Sequence, residues 1–178
     1  GDTNGTDDVF VHDRQTGITE RISVNNNGIQ GNEGSYTSSI SANGRYVAFE
    51  SSANNLVTGD TNGTNDVFVH DRQTRVTERV SVGNNGAQLN EGSYTPSISA
   101  NGRYVTFDSY TNNIVPADTN STSDVFVYDR QTRTTERVSI DSNGTQGNQG
   151  SYSSTISGNG RYVAFSSYAS NLVAGDTN

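Results

Sequence analysis

The sequence contains no cysteine, lysine, methionine or tryptophan, and only two of its 178 residues are proline. Without cysteine, a disulfide scaffold, a thiolate metal site and a cysteine nucleophile are all excluded. Eleven arginines face nineteen acidic residues, which gives a net charge of −8. Nucleic acid is therefore not expected as a partner, because affinity for phosphates rests on clustered positive charge. Membrane insertion is not expected either, since no apolar run approaches the roughly 18 residues of a membrane helix.

Large aliphatic side chains are also scarce. Leucine, isoleucine, valine and phenylalanine together number 34, or 19% of the chain. Such a fraction, combined with a high net charge, is typical of disordered chains. Composition alone would therefore predict disorder, and only the order of the residues argues against it.

A 58-residue repeat supplies that order. The first sixteen residues, GDTNGTDDVFVHDRQT, return at Gly59 as GDTNGTNDVFVHDRQT and at Ala117 as ADTNSTSDVFVYDRQT. Across the three copies, 34 of the 58 positions are identical. Fixed register of this kind is the signature of a repeat architecture. We therefore treat the chain as a single repeat domain, 1–178, with copies at 1–58, 59–116 and 117–174 and the start of a fourth at 175–178.

Each copy predicts four short β-strands and no helix. Apolar residues stand in short runs bounded by turn residues, and no stretch has a 3.6-residue period. Asn101-Gly102 predicts a tight type I′ hairpin, because both central residues of that turn need positive φ. In the second copy the predicted strands are Asp66–His70, Val76–Val82, Tyr94–Ser99 and Arg103–Asp108.

Four strands per repeat with tight turns favour an all-β fold of propeller blades, each a four-stranded antiparallel sheet. A β-helix is the main structural alternative, although its coils are usually much shorter. The segment from Tyr94 to Ser109, YTPSISANGRYVTFDS, resembles the TolB-type, WD-like β-propeller repeat, and DVFVYD from Asp124 is similar to the strand that follows it in that family. Only Pro96 keeps the family's proline, which Ser38 and Ser154 replace. The resemblance implies a propeller of about six blades and no particular activity.

The phase of the repeat predicts incomplete sheets at both ends. If the strands of one blade are A to D in chain order, the sequence runs C-D, A-B-C-D, A-B-C-D, A-B. The two half blades have unpaired strand edges, which invite pairing with another chain. We expect self-association, as a two-chain ring of six blades or as a filament. A third possibility is that the sequence is a window on a longer array.

Oxygen-bearing side chains alternate in one loop of each copy, in the pattern Asp-x-Asn-x-Thr-x-Asp. Alternating oxygen donors in a short loop suit Ca²⁺, which takes six to eight oxygen ligands. The same residue types are ordinary turn formers, so plain turn chemistry is the alternative. The pattern predicts calcium ligands at Asp2, Asn4, Thr6, Asp8, Asp60, Asn62, Thr64, Asp66, Asp118, Asn120, Thr122 and Asp124.

No catalytic constellation emerges from the sequence. His12 and His70 occupy equivalent places, where the third copy has Tyr128, and neither has the neighbours of a zinc ligand or a catalytic base. No Gly-x-Ser-x-Gly elbow is present. The expected protein is therefore not an enzyme. Tyr110 and Tyr168 are candidates for exposed contacts with a protein or glycan ligand.

Together these features predict a calcium-stabilised, extracellular or cell-surface β-propeller used for adhesion or self-assembly, with the periplasm as the alternative location. Millimolar external calcium would occupy weak sites and stabilise the folded state by linkage. The alternative function is that of a ligand- or protein-binding propeller domain belonging to a larger enzyme or transport-associated protein.

Overall fold

The computed structural model describes residues 2–115 and 118–176. Outside this part of the chain lie residue 1, residues 116 and 117 at the boundary between the second and third copies, and residues 177 and 178 at the start of the fourth copy. The described residues form twelve β-strands and no helix, so none of them could cross a membrane as a helix. The strands are β1 Phe10–His12, β2 Thr19–Arg21, β3 Ser35–Ile40, β4 Tyr46–Ser51, β5 Asp66–Asp71, β6 Val76–Arg79, β7 Ser93–Ile98, β8 Tyr104–Ser109, β9 Asp124–Asp129, β10 Thr134–Arg137, β11 Ser151–Ile156 and β12 Val163–Ser167.

The strands form four antiparallel sheets, taken here in chain order. Sheet I is the pair β1-β2, sheet II is β3-β4-β5-β6, sheet III is β7-β8-β9-β10, and sheet IV is the pair β11-β12. Within each sheet, strands that follow one another in sequence are paired. The all-β fold with four-stranded antiparallel sheets is confirmed, and a two-stranded sheet stands at each end.

The hairpins between the A and B strands form where expected, but with a different turn. In sheet III, Gly102 has a φ of 73°, whereas Asn101 does not have a positive φ. The Gly102 amide donates to the Ser99 carbonyl at 2.9 Å, and the Ser99 amide donates to the Tyr104 carbonyl at 2.9 Å. One left-handed glycine after a type I turn is a G1-bulge hairpin, so the type I′ prediction is wrong. Asn101 instead uses its side chain, whose Oδ1 accepts from the Arg103 amide at 3.0 Å.

The D strands are shorter than predicted. In sheet II, β6 ends at Arg79 rather than continuing to Val82. Beyond it the Ser81 hydroxyl accepts from the Val67 amide at 3.0 Å, which takes that donor out of the strand ladder. Val82 lies outside the strand and pairs with Gln88 in an isolated β-bridge. This return of the chain brings Gln88 beside the start of β5.

The core lies between the sheets, which pack face to face. One cluster joins sheets I and II through Val9, Ile22, Phe49 and Phe68, and a second joins sheets II and III through Val67, Val69, Phe107 and Phe126, with other residues in each. Short strands buried on both faces explain how a chain poor in aliphatic residues builds a core. All six residues of β5 are buried.

Candidate functional site

The Asp-x-Asn-x-Thr-x-Asp loops lead directly into the C strands. Asp66 is the first residue of β5, and Asp124 is the first residue of β9. Within the second loop, Asn62 Oδ1 accepts from the Thr64 amide at 3.2 Å. The Asn62 side-chain amide donates to the Leu89 carbonyl at 3.1 Å. The asparagine therefore ties the loop to itself and to the segment after β6.

The two aspartates of the second loop are brought together by an arginine and a glutamine. Arg79 Nη1 lies 3.5 Å from Asp60 Oδ1 and 3.2 Å from Asp66 Oδ2. Gln88 Nε2 donates to the same two oxygens, at 2.8 Å and 3.3 Å. The remaining oxygen of Asp66 accepts from the Ser81 hydroxyl at 2.7 Å. Both carboxylates are thus bound by groups of the chain itself.

The third loop repeats this arrangement closely. Arg137 Nη1 lies 3.5 Å from Asp118 Oδ1 and 3.1 Å from Asp124 Oδ2, while Gln146 Nε2 donates to both oxygens at 2.8 Å and 2.7 Å. The Ser139 hydroxyl donates to the other oxygen of Asp124 at 2.6 Å.

The first loop is more open but keeps the same partners. Arg21 Nε lies 3.3 Å from Asp8 Oδ2. Gln30 Nε2 donates to Asp2 Oδ1 and to Asp8 Oδ2, at 2.8 Å in each case. The bond from Gln30 lowers the pKa of Asp2, because a donor to a carboxylate favours its charged form.

Burial governs the electrostatics of the second loop. The Asp66 side chain is fully buried, and that of Asp60 is 4% exposed. Burial, and then the charge of Asp66, raise the pKa of Asp60 above its usual value. Two buried carboxylates that share the same donors need a compensating cation, and the Arg79 guanidinium supplies it.

Calcium fits this donor set poorly. Both carboxylates of the second loop are engaged by Arg79 and Gln88, and the Asn62 carbonyl oxygen is engaged by a backbone amide. Of the four expected ligands, only the Thr64 hydroxyl is buried without a hydrogen-bond partner, as are those of Thr6 and Thr122. The described residues contain no group of three or more histidine or acidic side chains arranged to hold a metal ion. Calcium binding at these loops stays a prediction.

Sequence reasoning missed the residues that complete each loop. It assigned no role to the arginines that follow the D-strand glutamates, nor to the glutamines and serines that come after them. A signal was present, since all three residue types recur at the same repeat position in each copy. The missed residues are Arg21, Arg79 and Arg137, Gln30, Gln88 and Gln146, and Ser23, Ser81 and Ser139.

The two histidines have different surroundings. His12 is exposed and His70 is 5% exposed, and each has Nδ1 2.8 Å from a threonine hydroxyl on the adjacent strand. Thr77 donates its hydroxyl proton to the Val24 carbonyl at 2.6 Å. Its oxygen therefore accepts from His70, and the histidine cannot act as a base toward this threonine. Burial lowers the pKa of His70, which favours the neutral ring.

The outer edges of sheets I and IV expose residues that are buried elsewhere. Phe10 of β1 is 53% exposed, although Phe68 and Phe126 at the same repeat position are fully buried. Tyr162, just before β12, is 61% exposed, whereas Tyr46 and Tyr104 are half-buried. The predicted contact residues Tyr110 and Tyr168 are 51% and 73% exposed.

Comparison with known proteins supports the fold. No protein-family model matches the sequence, and no curated protein matches it. Among solved structures, TolB from Acinetobacter baumannii is similar over 89% of this chain and 31% of its own, with 18% identity and a TM-score of 0.52. A putative TolB from Agrobacterium tumefaciens is similar over 90% of this chain and 50% of its own, with 20% identity and a TM-score of 0.53.

The tricorn protease is similar over 94% of this chain but only 14% of its own, with 16% identity and a TM-score of 0.60. The chain thus spans half or less of the length of each of these structures. Identities this low carry the architecture and nothing about activity. The sheet topology and these likenesses together establish that the chain has a TolB-like β-propeller fold.

Proposed function

We propose that this chain is a non-enzymatic assembly module whose incomplete sheets complete each other between copies. Strand β12 of one copy pairs with strand β1 of another, and the two halves form one four-stranded sheet. The observation that carries the proposal is the exposure of Phe10 on β1, at a position that is buried in the complete sheets.

The register of the joint follows from sheet III. There β8 pairs with β9 so that Val105 lies opposite Tyr128 and Phe107 lies opposite Phe126. Shifting by one repeat places Val163 of one copy opposite His12 of the other, and Phe165 opposite Phe10. The joint therefore needs only the pairing that the chain already makes internally.

Charge complementarity supports the same joint. Arg130 Nε donates to Glu78 of the preceding sheet at 2.7 Å, and its Nη1 donates to the Gly102 carbonyl at 2.5 Å. Arg72 makes the equivalent bonds to Glu20 and Gly44. At the joint, the corresponding groups are Arg14 of one copy and Glu136 and Gly160 of the other. Arg14 and Glu136 are both exposed, and neither forms an ion pair within the described part of the chain.

Two copies joined in this way at both ends form a ring of six four-stranded sheets, since each copy supplies two complete sheets and two halves. The same joint repeated without closure gives a filament. Light scattering coupled to size-exclusion chromatography tests the proposal, and we expect a mass of at least two chains.

A second candidate function is that of a ligand-binding propeller, favoured by a cleft of about 700 Å³ between sheets I and II. Ligand sites in proteins commonly have volumes of about 300–1,000 Å³.

An extracellular or periplasmic location and a role in adhesion are parts of the proposal that immunolocalisation tests. Calcium is a separate proposal, which the contacts of Arg79 and Gln88 argue against.

A further inference from the structure

The cleft between sheets I and II has an unusual charge for this chain. Three of the eleven arginines line it, Arg21, Arg72 and Arg75, together with one of the two histidines. Of the nineteen acidic residues, only Glu20 does so. Arg21 and Arg72 are paired with Asp8 and Glu20, so the unbalanced positive charge of the cleft is that of Arg75. One unbalanced cation in a cleft of a protein of net charge −8 favours an anionic ligand, because a cleft focuses the field of the charges that line it.

Several polar groups in the cleft are free to bind. Within the described residues, the Arg75 guanidinium has no carboxylate at salt-bridge distance, unlike Arg72, which pairs with Glu20. Arg75 also has a φ of 61° and is exposed at the turn between β5 and β6. Asn26 Oδ1 accepts from the Thr77 amide at 2.7 Å, and within the described part of the chain its side-chain amide has no acceptor, so it is available as a donor.

His70 offers the cleft a hydrogen-bond acceptor rather than a donor. Its Nδ1 carries the proton that the Thr77 oxygen accepts. A neutral imidazole with a protonated Nδ1 keeps a lone pair on Nε2. The Nε2 atom has no hydrogen-bond partner among the described residues, and His70 lines the cleft. The cleft thus combines cationic donors with one neutral acceptor.

We propose that this cleft binds a small hydroxylated carboxylate, whose carboxylate group meets Arg75 and the Asn26 amide and whose hydroxyl donates to His70 Nε2. The inference rests on the ligand-binding candidate function and does not depend on the joint between copies. Each polar group of such a ligand finds a partner of matching type, which is the condition for binding a polar molecule without leaving groups unsatisfied.

The repeat provides an internal control for each residue. At the position of His70 the third copy has Tyr128, which is 5% exposed and has the larger ring. At the position of Arg75 it has Arg133, with a φ of 60° and an equally exposed place in its turn. His70→Tyr therefore installs a side chain that the fold already accepts at this position. Arg75→Asn and Arg133→Asn make the same change at equivalent turns, and asparagine tolerates positive φ.

The test is a titration of the full chain with sodium gluconate in low-salt buffer, followed by calorimetry and by amide chemical shifts. D-glucose, which lacks the carboxylate, and inorganic phosphate, which lacks the carbon-bound hydroxyls, are the comparison probes. We expect gluconate to bind and to shift the amides of 25–28 and of the turn after β5, and we expect both comparison probes to bind more weakly. Arg75→Asn should weaken gluconate binding by about 10- to 100-fold, as loss of a charged hydrogen bond does.

His70→Tyr should abolish binding because it fills the cleft and removes the acceptor, while Arg133→Asn should bind as the wild type does. Circular dichroism confirms that each variant is folded. Absence of gluconate binding to the wild type overturns the proposal, as does equal weakening by Arg75→Asn and Arg133→Asn. If glucose binds as tightly as gluconate, the carboxylate is not recognised. If phosphate binds as tightly as gluconate, the hydroxyl is not recognised.

Failure of the assembly proposal has a separate signature. The cleft lies between two sheets of one copy, so an Arg14→Glu variant that cannot form the joint should still bind gluconate. A chain that assembles but does not bind gluconate would contradict only the cleft, and a monomer that binds it would contradict only the joint.

Discussion

Replacing Arg137 by methionine should destabilise the protein strongly, because this arginine is the cation of the third loop. Its Nη1 lies 3.5 Å from Asp118 Oδ1 and 3.1 Å from Asp124 Oδ2, and the two aspartate side chains are 4% and 0% exposed. Methionine keeps most of the volume and removes the charge. The two buried carboxylates then face each other with only uncharged donors.

The size of the effect follows from the burial. Removing one partner of a buried ion pair costs about 3–5 kcal/mol. For a chain of this length, 1 kcal/mol lowers the melting temperature by roughly 2–4 °C. We therefore expect Arg137→Met to melt about 6–20 °C below the wild type. Calorimetry and urea unfolding, monitored by circular dichroism, measure the change.

Two further variants make the result specific. Arg133→Asn removes the same charge at an exposed turn and should change stability by less than about 1 kcal/mol, as surface charges do. Adding Asp118→Asn and Asp124→Asn to Arg137→Met removes the stranded charges and should recover much of the loss. If Arg137→Met melts within experimental error of the wild type, Arg137 is not the counter-ion of this loop.

Three other outcomes follow from the same structure. If arginine is the only cation of the loops, the melting temperature of the wild type should be equal in EDTA and in millimolar calcium, because the loop carboxylates already have arginine partners. A higher melting temperature in calcium would instead support calcium binding at these loops. Arg45 holds the pKa of Asp71 well below its usual value, so the Asp71–Arg45 pair contributes its full stability above about pH 4 and loses it as the pH falls below that. In urea unfolding from pH 5 downward, the stability of the Asp71→Asn variant should therefore fall less steeply with pH than that of the wild type. An equal dependence on pH would contradict this. Gly102→Ala should lower the free energy of unfolding more than Gly86→Ala. Both glycines have a φ above 70°, but a Cβ at Gly102 would lie 2.1 Å from a ring carbon of Tyr46, whereas one at Gly86 meets nothing within 4 Å. Equal losses would show that the contact between Gly102 and Tyr46 does not matter.

Strand positions could be predicted because the repeat superimposes three examples of each local pattern. Val-Phe-Val runs and Asn-Gly turns recur in register, so the order of strands and the unpaired edges at both ends follow from the sequence alone. The turn type did not follow, because Asn101 meets the needs of the turn with its side chain instead of a positive φ. The φ angles of turn residues depend on side-chain hydrogen bonds that the residue pattern does not specify.

The candidate sites were predicted less completely, because their partners are distant in sequence. Gln88 reaches Asp60 across 28 residues, and Arg79 reaches Asp66 across 13. Both contacts depend on the chain's return after β6, where the D strand stops earlier than its alternating pattern suggests. The sequence therefore showed which oxygens gather in the loop, but not that the chain supplies its own cation.

The mass of the protein in solution tests most directly whether copies complete each other's sheets. The chain has a mass of 19.0 kDa, so the proposed joint predicts at least twice that value, persisting on dilution from high micromolar concentration. Arg14→Glu should reduce the mass to that of a single chain, and adding Glu136→Arg should restore assembly by reversing the ion pair. A wild type that stays at 19.0 kDa at every concentration, or an Arg14→Glu variant that assembles unchanged, would contradict the joint between β12 and β1.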